Sequence, residues 1–379
     1  KSHQFDLSSV MENNNTIPAL FQPIKISDSI TLPNRIGVSP MCMYSSSPTD
    51  NQATLFHFVH YGSFAVRGPA LIILESTFVS ENSGLSIHDL GLWNDDQAHS
   101  LRKIVDFIHD QDGICCIQLN HAGRKIGEGV PFQQIQHGWQ EHCVGPSTEP
   151  FSDSHNTPRE LTVNEINSIV EDFANAAWRA VEISKFDAIE IHCANGCLIH
   201  QFLSKLTNKR ADQYGGSFEH RVRFLLQIIE NIKRQIDTPI FLKFPMSDNC
   251  SDPEAWSTED ALKLADLVID LGVKVIDVTS GGNVAHCKSR YLLNDDKQLP
   301  SQVPLARKLK SHIRNRCLIA CSGGLDRDIF KLDEFIANGD FDIALIGKGF
   351  LKNTGLISRI ADQLQAQFRT APQYKLALS

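Results

Sequence analysis

Eight short apolar runs recur along the chain, and each is followed by a stretch with helical periodicity. The runs are 35–39 (RIGVS), 70–75 (ALIILE), 114–118 (ICCIQ), 187–191 (DAIEI), 239–244 (PIFLKF), 273–278 (VKVIDV), 317–321 (CLIAC) and 341–346 (FDIALI). They are rich in Ile, Val, Leu and Phe and lack strict polar alternation, as expected of strands covered on both faces. Helical patterns lie near 55–66, 95–110, 162–184, 218–236, 257–271, 302–314, 326–338 and 354–368. Thr162 with Glu165 reads as a capping box, and Ser257 with Asp260 resembles one. Gly113 and Gly272 fall where helices end and strands begin. Eight such units predict an α/β fold, a TIM (β/α)8 barrel. A doubly wound open sheet is the alternative, but it would more often carry G-x-G-x-x-G after its first strand, and none is there. The 120–160 segment is too long for a simple βα loop. Its Pro131, Gly138, Gly145, Pro146 and Pro150 predict an excursion or hairpin after strand three that partly lids the barrel mouth.

Composition narrows the function. A length of 379 residues suits one barrel. The net charge of −8, with no basic run, argues against a nucleic-acid or anionic-membrane partner. The apolar runs are of strand length, too short to span a bilayer. Residues 1–17 are polar and read as a loose arm without a targeting pattern, so a cytoplasmic protein is expected. The ten cysteines form no C-x-x-C pair, and their spacings suit neither zinc nor an iron–sulfur cluster. They read as buried free thiols in a reducing compartment, and no metal is implied.

Chemistry in a TIM barrel sits at the carboxyl ends of the strands. Those ends offer Pro40, Met41, Cys42 and Tyr44 after strand one, and Glu75, Ser76 and Thr77 after strand two. Gln118, Asn120, His121 and Arg124 follow strand three, and His192 and Asn195 follow strand four. Strand five contributes Lys243. Strands six to eight end in Ser280–Gly281–Gly282, Ser322–Gly323–Gly324 and Gly347–Lys348–Gly349. Glycine turns after strands seven and eight are how this fold cradles a phosphate with backbone N–H groups. His192 and Asn195 form a pair of neutral donors able to hold one carbonyl or phenolate oxygen and stabilise charge developing on it.

The blocks SPMCMY (39–44), QLNHAGRK (118–125), IHCANG (191–196), NKRADQYGGSFEHRVRF (208–224), CSGG (321–324) and IGKGFL (346–351) resemble the old yellow enzyme family of FMN-dependent ene-reductases. The resemblance runs from about residue 18 to residue 375. Cys-x-Tyr after strand one and PQY (372–374) point to its bacterial-like, or thermophilic-like, class. It implies an FMN-binding barrel over 18–370 and a C-terminal tail, 371–379, at a subunit interface of a dimer or tetramer. FMN would be held by Pro40, Met41, Cys42, Ser76, Gln118, His192, Lys243, Gly281, Gly282, Gly323, Gly324, Gly347 and Lys348. NADPH or NADH would be the reductant. His192 and Asn195 would bind the oxygen of an enone, enal or quinone, with Tyr44 at the rim.

Three departures from the family pattern stand out. The tyrosine that usually protonates the α-carbon is Cys197. Lys243 and Lys348 replace arginines, keeping charge but losing the bidentate fork. Leu376, beside Lys375, stands where an arginine commonly reaches a neighbouring subunit. A flavin-binding protein of low turnover, with a binding or regulatory role, is therefore the alternative expectation. A dienoyl-CoA reductase is not expected, because no cysteine follows Cys321 to build an iron–sulfur domain.

Overall fold

In the computed structural model, which describes residues 17–127, 142–287, 300 and 302–377, the eight expected strands close into one parallel barrel. They are β1 (Ile36–Val38), β2 (Leu71–Phe78), β3 (Ile114–Asn120), β4 (Ala188–His192), β5 (Ile240–Pro245), β6 (Val275–Thr279), β7 (Leu318–Ser322) and β8 (Ile343–Ile346). Neighbours pair in chain order, and β8 closes the ring on β1. The main covering helices are α1 (Leu55–Ala65), α2 (Asp95–Asp110), α3 (Val163–Trp178), α4 (Phe218–Gln235), α5 (Thr258–Asp270), α6 (Val303–Ile313), α7 (Ile329–Ala337) and α8 (Leu356–Leu364). The Thr162–Glu165 box opens α3 as expected, and the Ser257 side chain accepts from Asp260 N at the start of α5.

The barrel floor was not legible beforehand. Ile24–Lys25 and Thr31–Leu32 form a small antiparallel hairpin ahead of β1. Its Ile24, Ile26, Ile30 and Leu32 join Ile73, Cys116, Ala188, Phe241, Val275, Ala320, Ile343 and Leu345 in one apolar plug. Side chains two positions apart share a strand face, so the next inward residues toward the carboxyl ends are Gln118, Glu190, Lys243, Asp277 and Ser322. A polar storey thus sits on an apolar one.

The excursion after β3 differs in detail from a hairpin. Val144–Gly145 pairs with Arg159–Glu160 in parallel. Pro131 and Gly138 lie outside the described residues, as does the arm over 1–17 except for Ile17. The cysteine reading also changes. Cys250 and Cys287 are joined as a disulfide, while the other eight are free. Loops after β5 and β6 carry this pair, and no sequence spacing marks two loops as neighbours. The tail beyond α8 returns to α1, with Ala371 N donating to Val66 O and Arg67 lying over the Tyr374 ring. Among the described residues, no helix is long and apolar enough to cross a membrane.

Candidate active site

The polar storey is cross-braced along the strand register. Gln118 is level with Glu190, and its Nε2 donates to Glu190 Oε1 at 2.6 Å. Lys243 is level with both His192 and Asp277, and its Nζ lies 2.5 Å from Asp277 Oδ2 and 3.3 Å from Ser322 Oγ. Glu190 Oε2 is buried without a hydrogen-bond partner. Burial, reinforced by the Asp277 charge and opposed by Lys243 and Gln118, raises the Glu190 carboxyl pKa. A neutral Glu190 beside the Lys243–Asp277 pair leaves the storey close to charge balance.

His192 closes β4, and Ala194 N donates to its Nδ1 at 3.4 Å. Nδ1 as acceptor puts the ring proton of neutral imidazole on Nε2, which makes His192 a donor there. Asn195 then takes a left-handed conformation, φ 55°, which an asparagine tolerates better than most residues. Gly196 N donates to His200 Nδ1, whose Nε2 lies 3.0 Å from buried Asp248. The turn carrying Asn195 is therefore anchored from beneath.

Cys197 follows at once, buried, with its sulfur accepting from Asn120 Nδ2 at 3.3 Å. The same amide donates to Ser76 Oγ at 2.8 Å, so β2, β3 and the β4 end are tied through one asparagine. A bulge in β2 makes this possible. Leu74 is level with Ile117, and Ser76, not Glu75, is level with Gln118. Glu75 turns instead to α1, accepting from Tyr61 OH at 3.0 Å, and also accepts from Met43 N at 2.8 Å. That second bond fixes the 40–44 segment, in which Tyr44 adopts φ 50°. The Cys42 thiol keeps its proton, because desolvation of its sulfur pushes its pKa up.

The expected phosphate cradle is a set of turns. Gly323 has φ 111°, a conformation for glycine alone, and a Cβ added there would find its nearest neighbour, Gln302 Cγ, 3.8 Å away. Backbone geometry rather than crowding demands glycine. Gln302 is buried, and its Nε2 has no partner. An unsatisfied buried donor beside a glycine turn suits a bound acceptor such as a phosphate oxygen. Gly281, Gly282 and Gly324 also have positive φ. Gly347 lies against Met41, where a Cβ would come within 3.0 Å of Sδ, and Lys348 is exposed beside it. Pro40, at the β1 end, is partly buried. These residues fit the phosphate of a phosphorylated cofactor.

A closed parallel barrel with glycine turns at the ends of β6, β7 and β8 suits a protein that binds a phosphorylated ligand at its mouth. The family model described as NADH:flavin oxidoreductase / NADH oxidase matches residues 19–367. An NADPH dehydrogenase of Listeria monocytogenes serotype 4a (strain HCC23) is 38% identical over 359 residues, covering 94% of this chain and 98% of its own. The solved structure of morphinone reductase aligns with TM-score 0.72 at 26% identity, over 94% of this chain and 92% of its own. A 2-naphthoyl-CoA reductase complex aligns with TM-score 0.79 at 20% identity over 91% of this chain; the chain spans about half of that one (52%), and the likeness is of fold alone. The chain belongs to the NADH:flavin oxidoreductase family, the old yellow enzymes. It is an FMN-dependent oxidoreductase with NAD(P)H as reductant.

Glu190, Asp277, Glu75 and Gln302 had no assigned role from sequence. The first two sit inside apolar runs, and their signal was a charge two residues beyond a plug residue.

Proposed function

We propose that the protein reduces the C=C bond of α,β-unsaturated carbonyl compounds, and quinones, with nicotinamide and acceptor using the barrel mouth in turn. Bound FMN would relay hydride from the nicotinamide to the acceptor. The observation that carries this reading is the anchored His192–Asn195 turn. His192 Nε2–H and the Asn195 amide would donate to the acceptor oxygen and stabilise charge gathering there, and loss of one such donor typically costs about 10²–10³-fold in rate. Gln118 and Lys243 would hold the cofactor's pyrimidine edge from the polar storey, with Pro40, Met41, Cys42 and Ser76 lining its ring. Gly281, Gly282, Gly323, Gly324, Gly347 and Lys348 would hold the phosphate. Tyr44 would contribute from the rim, and Cys197 replaces the usual proton donor.

We further propose that the barrel, 18–370, acts with the tail, 371–379, against a second copy in a dimer or tetramer. Leu376, 91% exposed, and Tyr374, 39% exposed, offer apolar surface for it.

The test is anaerobic. Enzyme reduced with one equivalent of NADPH is mixed with an enone, an enal or a quinone, and the return of oxidised flavin absorbance is followed. Reoxidation by all three is expected, with the enone the slowest. Reoxidation by the quinone alone would remove the ene-reductase reading. Failure with all three would favour a flavin-binding protein of low turnover.

A further inference from the structure

Residues 280–287, which follow β6, pack against the turn that carries Asn195. A Cβ on Gly196 would lie 2.3 Å from Gly282 O and 3.0 Å from Asn283 Cα, so turn and loop are in backbone contact. Any shift of the loop is felt at Asn195. Its near end is fixed by Gly281 N donating to Ser247 O at 2.7 Å and by Asn249 Nδ2 donating to Ser280 Oγ at 3.0 Å. In the middle, Arg124 Nη2 donates to Asn283 O at 2.5 Å, and Ala285 N donates to Phe151 O at 3.3 Å. Further on, Cys287 is tied to the β5–α5 loop through Cys250–Cys287, with Cα atoms 5.0 Å apart.

We propose that Cys250–Cys287 is a reversible thiol–disulfide site, open to small or protein dithiols, that sets how firmly this loop holds the Asn195 turn. The proposal rests on the reading of that turn as the acceptor site. Cys250 is partly exposed and Cys287 is buried, so an incoming thiolate attacks Cys250 Sγ and Cys287 leaves. An imidazole nitrogen of exposed His286 lies within 4.8 Å of both sulfurs, placed to give the leaving thiolate its proton. The second thiol of the dithiol then attacks the mixed disulfide, releasing Cys250 as a thiol. Two electrons and two protons pass to the protein, and the dithiol becomes a disulfide.

The test uses the FMN-loaded full chain equilibrated in lipoate/dihydrolipoate buffers. Differential alkylation with peptide mapping reads the Cys250–Cys287 link. Phenol titration reads acceptor affinity through the flavin charge-transfer band. Hydrogen exchange of 281–287 reads the loop. Reduction should free both thiols, speed exchange in 281–287 and weaken phenol binding about tenfold, the scale of ordering a loop on binding rather than beforehand. FMN content should not change. The double variant Cys250→Ser, Cys287→Ser should match the reduced protein in every buffer. The proposal is overturned if both cysteines stay alkylatable in the oxidising buffer, or if the link toggles with loop exchange and phenol affinity unaltered. Stoichiometric zinc on the reduced Cys250–His286–Cys287 trio that blocks reoxidation would likewise overturn it. Loop exchange that follows the link, with no phenol band in any state, would leave the clamp standing and remove the acceptor reading of the turn.

Discussion

Lys243 Nζ and Asp277 Oδ2 are 2.5 Å apart inside the barrel, and both side chains are almost sealed from solvent. A single ammonium spends much of its donor capacity on this carboxylate, leaving less for a cofactor above it. Lys243→Arg should keep Asp277 satisfied and present a second N–H, tightening FMN by about 1 kcal/mol. Lys243→Met should instead strand a buried carboxylate and cost about 3–5 kcal/mol of stability. Fluorescence titration of apoprotein with FMN and urea unfolding separate the two effects. Unchanged FMN affinity in a well-folded Lys243→Arg protein would assign Lys243 to Asp277 alone.

Lys348 is exposed at the Gly347 turn, so its removal should leave the fold intact. Lys348→Ala should shed FMN on gel filtration, most clearly at low salt, where the attraction of a surface cation for phosphate is least screened. Lys348→Arg should retain it better than the natural protein. Full retention by Lys348→Ala would take the residue out of the phosphate site.

The barrel was legible because its strands are covered on both faces and its helices carry caps and stripes. Glu190 and Asp277 escaped because a charge inside DAIEI or VKVIDV looks like an interruption of an apolar run. The period-2 rule explains them: each stands two residues past a plug residue, Ala188 or Val275, on the inward face. The floor hairpin escaped for another reason. Its paired segments are two residues long, too short for any periodicity. The Cys250–Cys287 pairing depends on two loops meeting in space, which no single-chain pattern encodes.

His192 and Asn195 are predicted to bind acceptor oxygen together. A simple phenol should give a long-wavelength charge-transfer band with the oxidised protein, and His192→Ala with Asn195→Ala should abolish it. Phenol binding that survives the double change unaltered would place the acceptor elsewhere.

Glu190 should make stability depend on pH. Its folded pKa is raised, to about 8, mainly by burial and next by Asp277. A carboxyl with a raised folded pKa stabilises the fold below its unfolded pKa, and that stability is lost as pH rises through the folded value. Thermal midpoints of the natural protein should therefore fall between about pH 5 and 8. Glu190→Gln stays neutral throughout and should fall less. Some slope should remain from Asp89, which burial likewise raises to about 8. Identical pH profiles for the two proteins would mean that Glu190 is ionised in the fold.

On the proposed function Cys197 takes the place of a tyrosine that would deliver the α-proton, and its sulfur already accepts from Asn120. A thiol is shorter than a phenol, so proton delivery to a carbon above the mouth should suffer. Flavin reduction by NADPH should be normal, while reoxidation by simple cyclic enones is slow. Quinones and nitro-olefins, whose reduced products need no carbon protonation at the enzyme, should be affected far less. General-acid contributions run to about 10²–10⁴-fold, so the gap between acceptor classes should be wide. Cys197→Tyr should raise the enone rate selectively if the ring enters the buried position. The competing account is that Tyr44 or a water molecule delivers the proton and Cys197 only fills space. Equal enone and quinone rates in the natural protein, unmoved by Cys197→Tyr, would decide for that account.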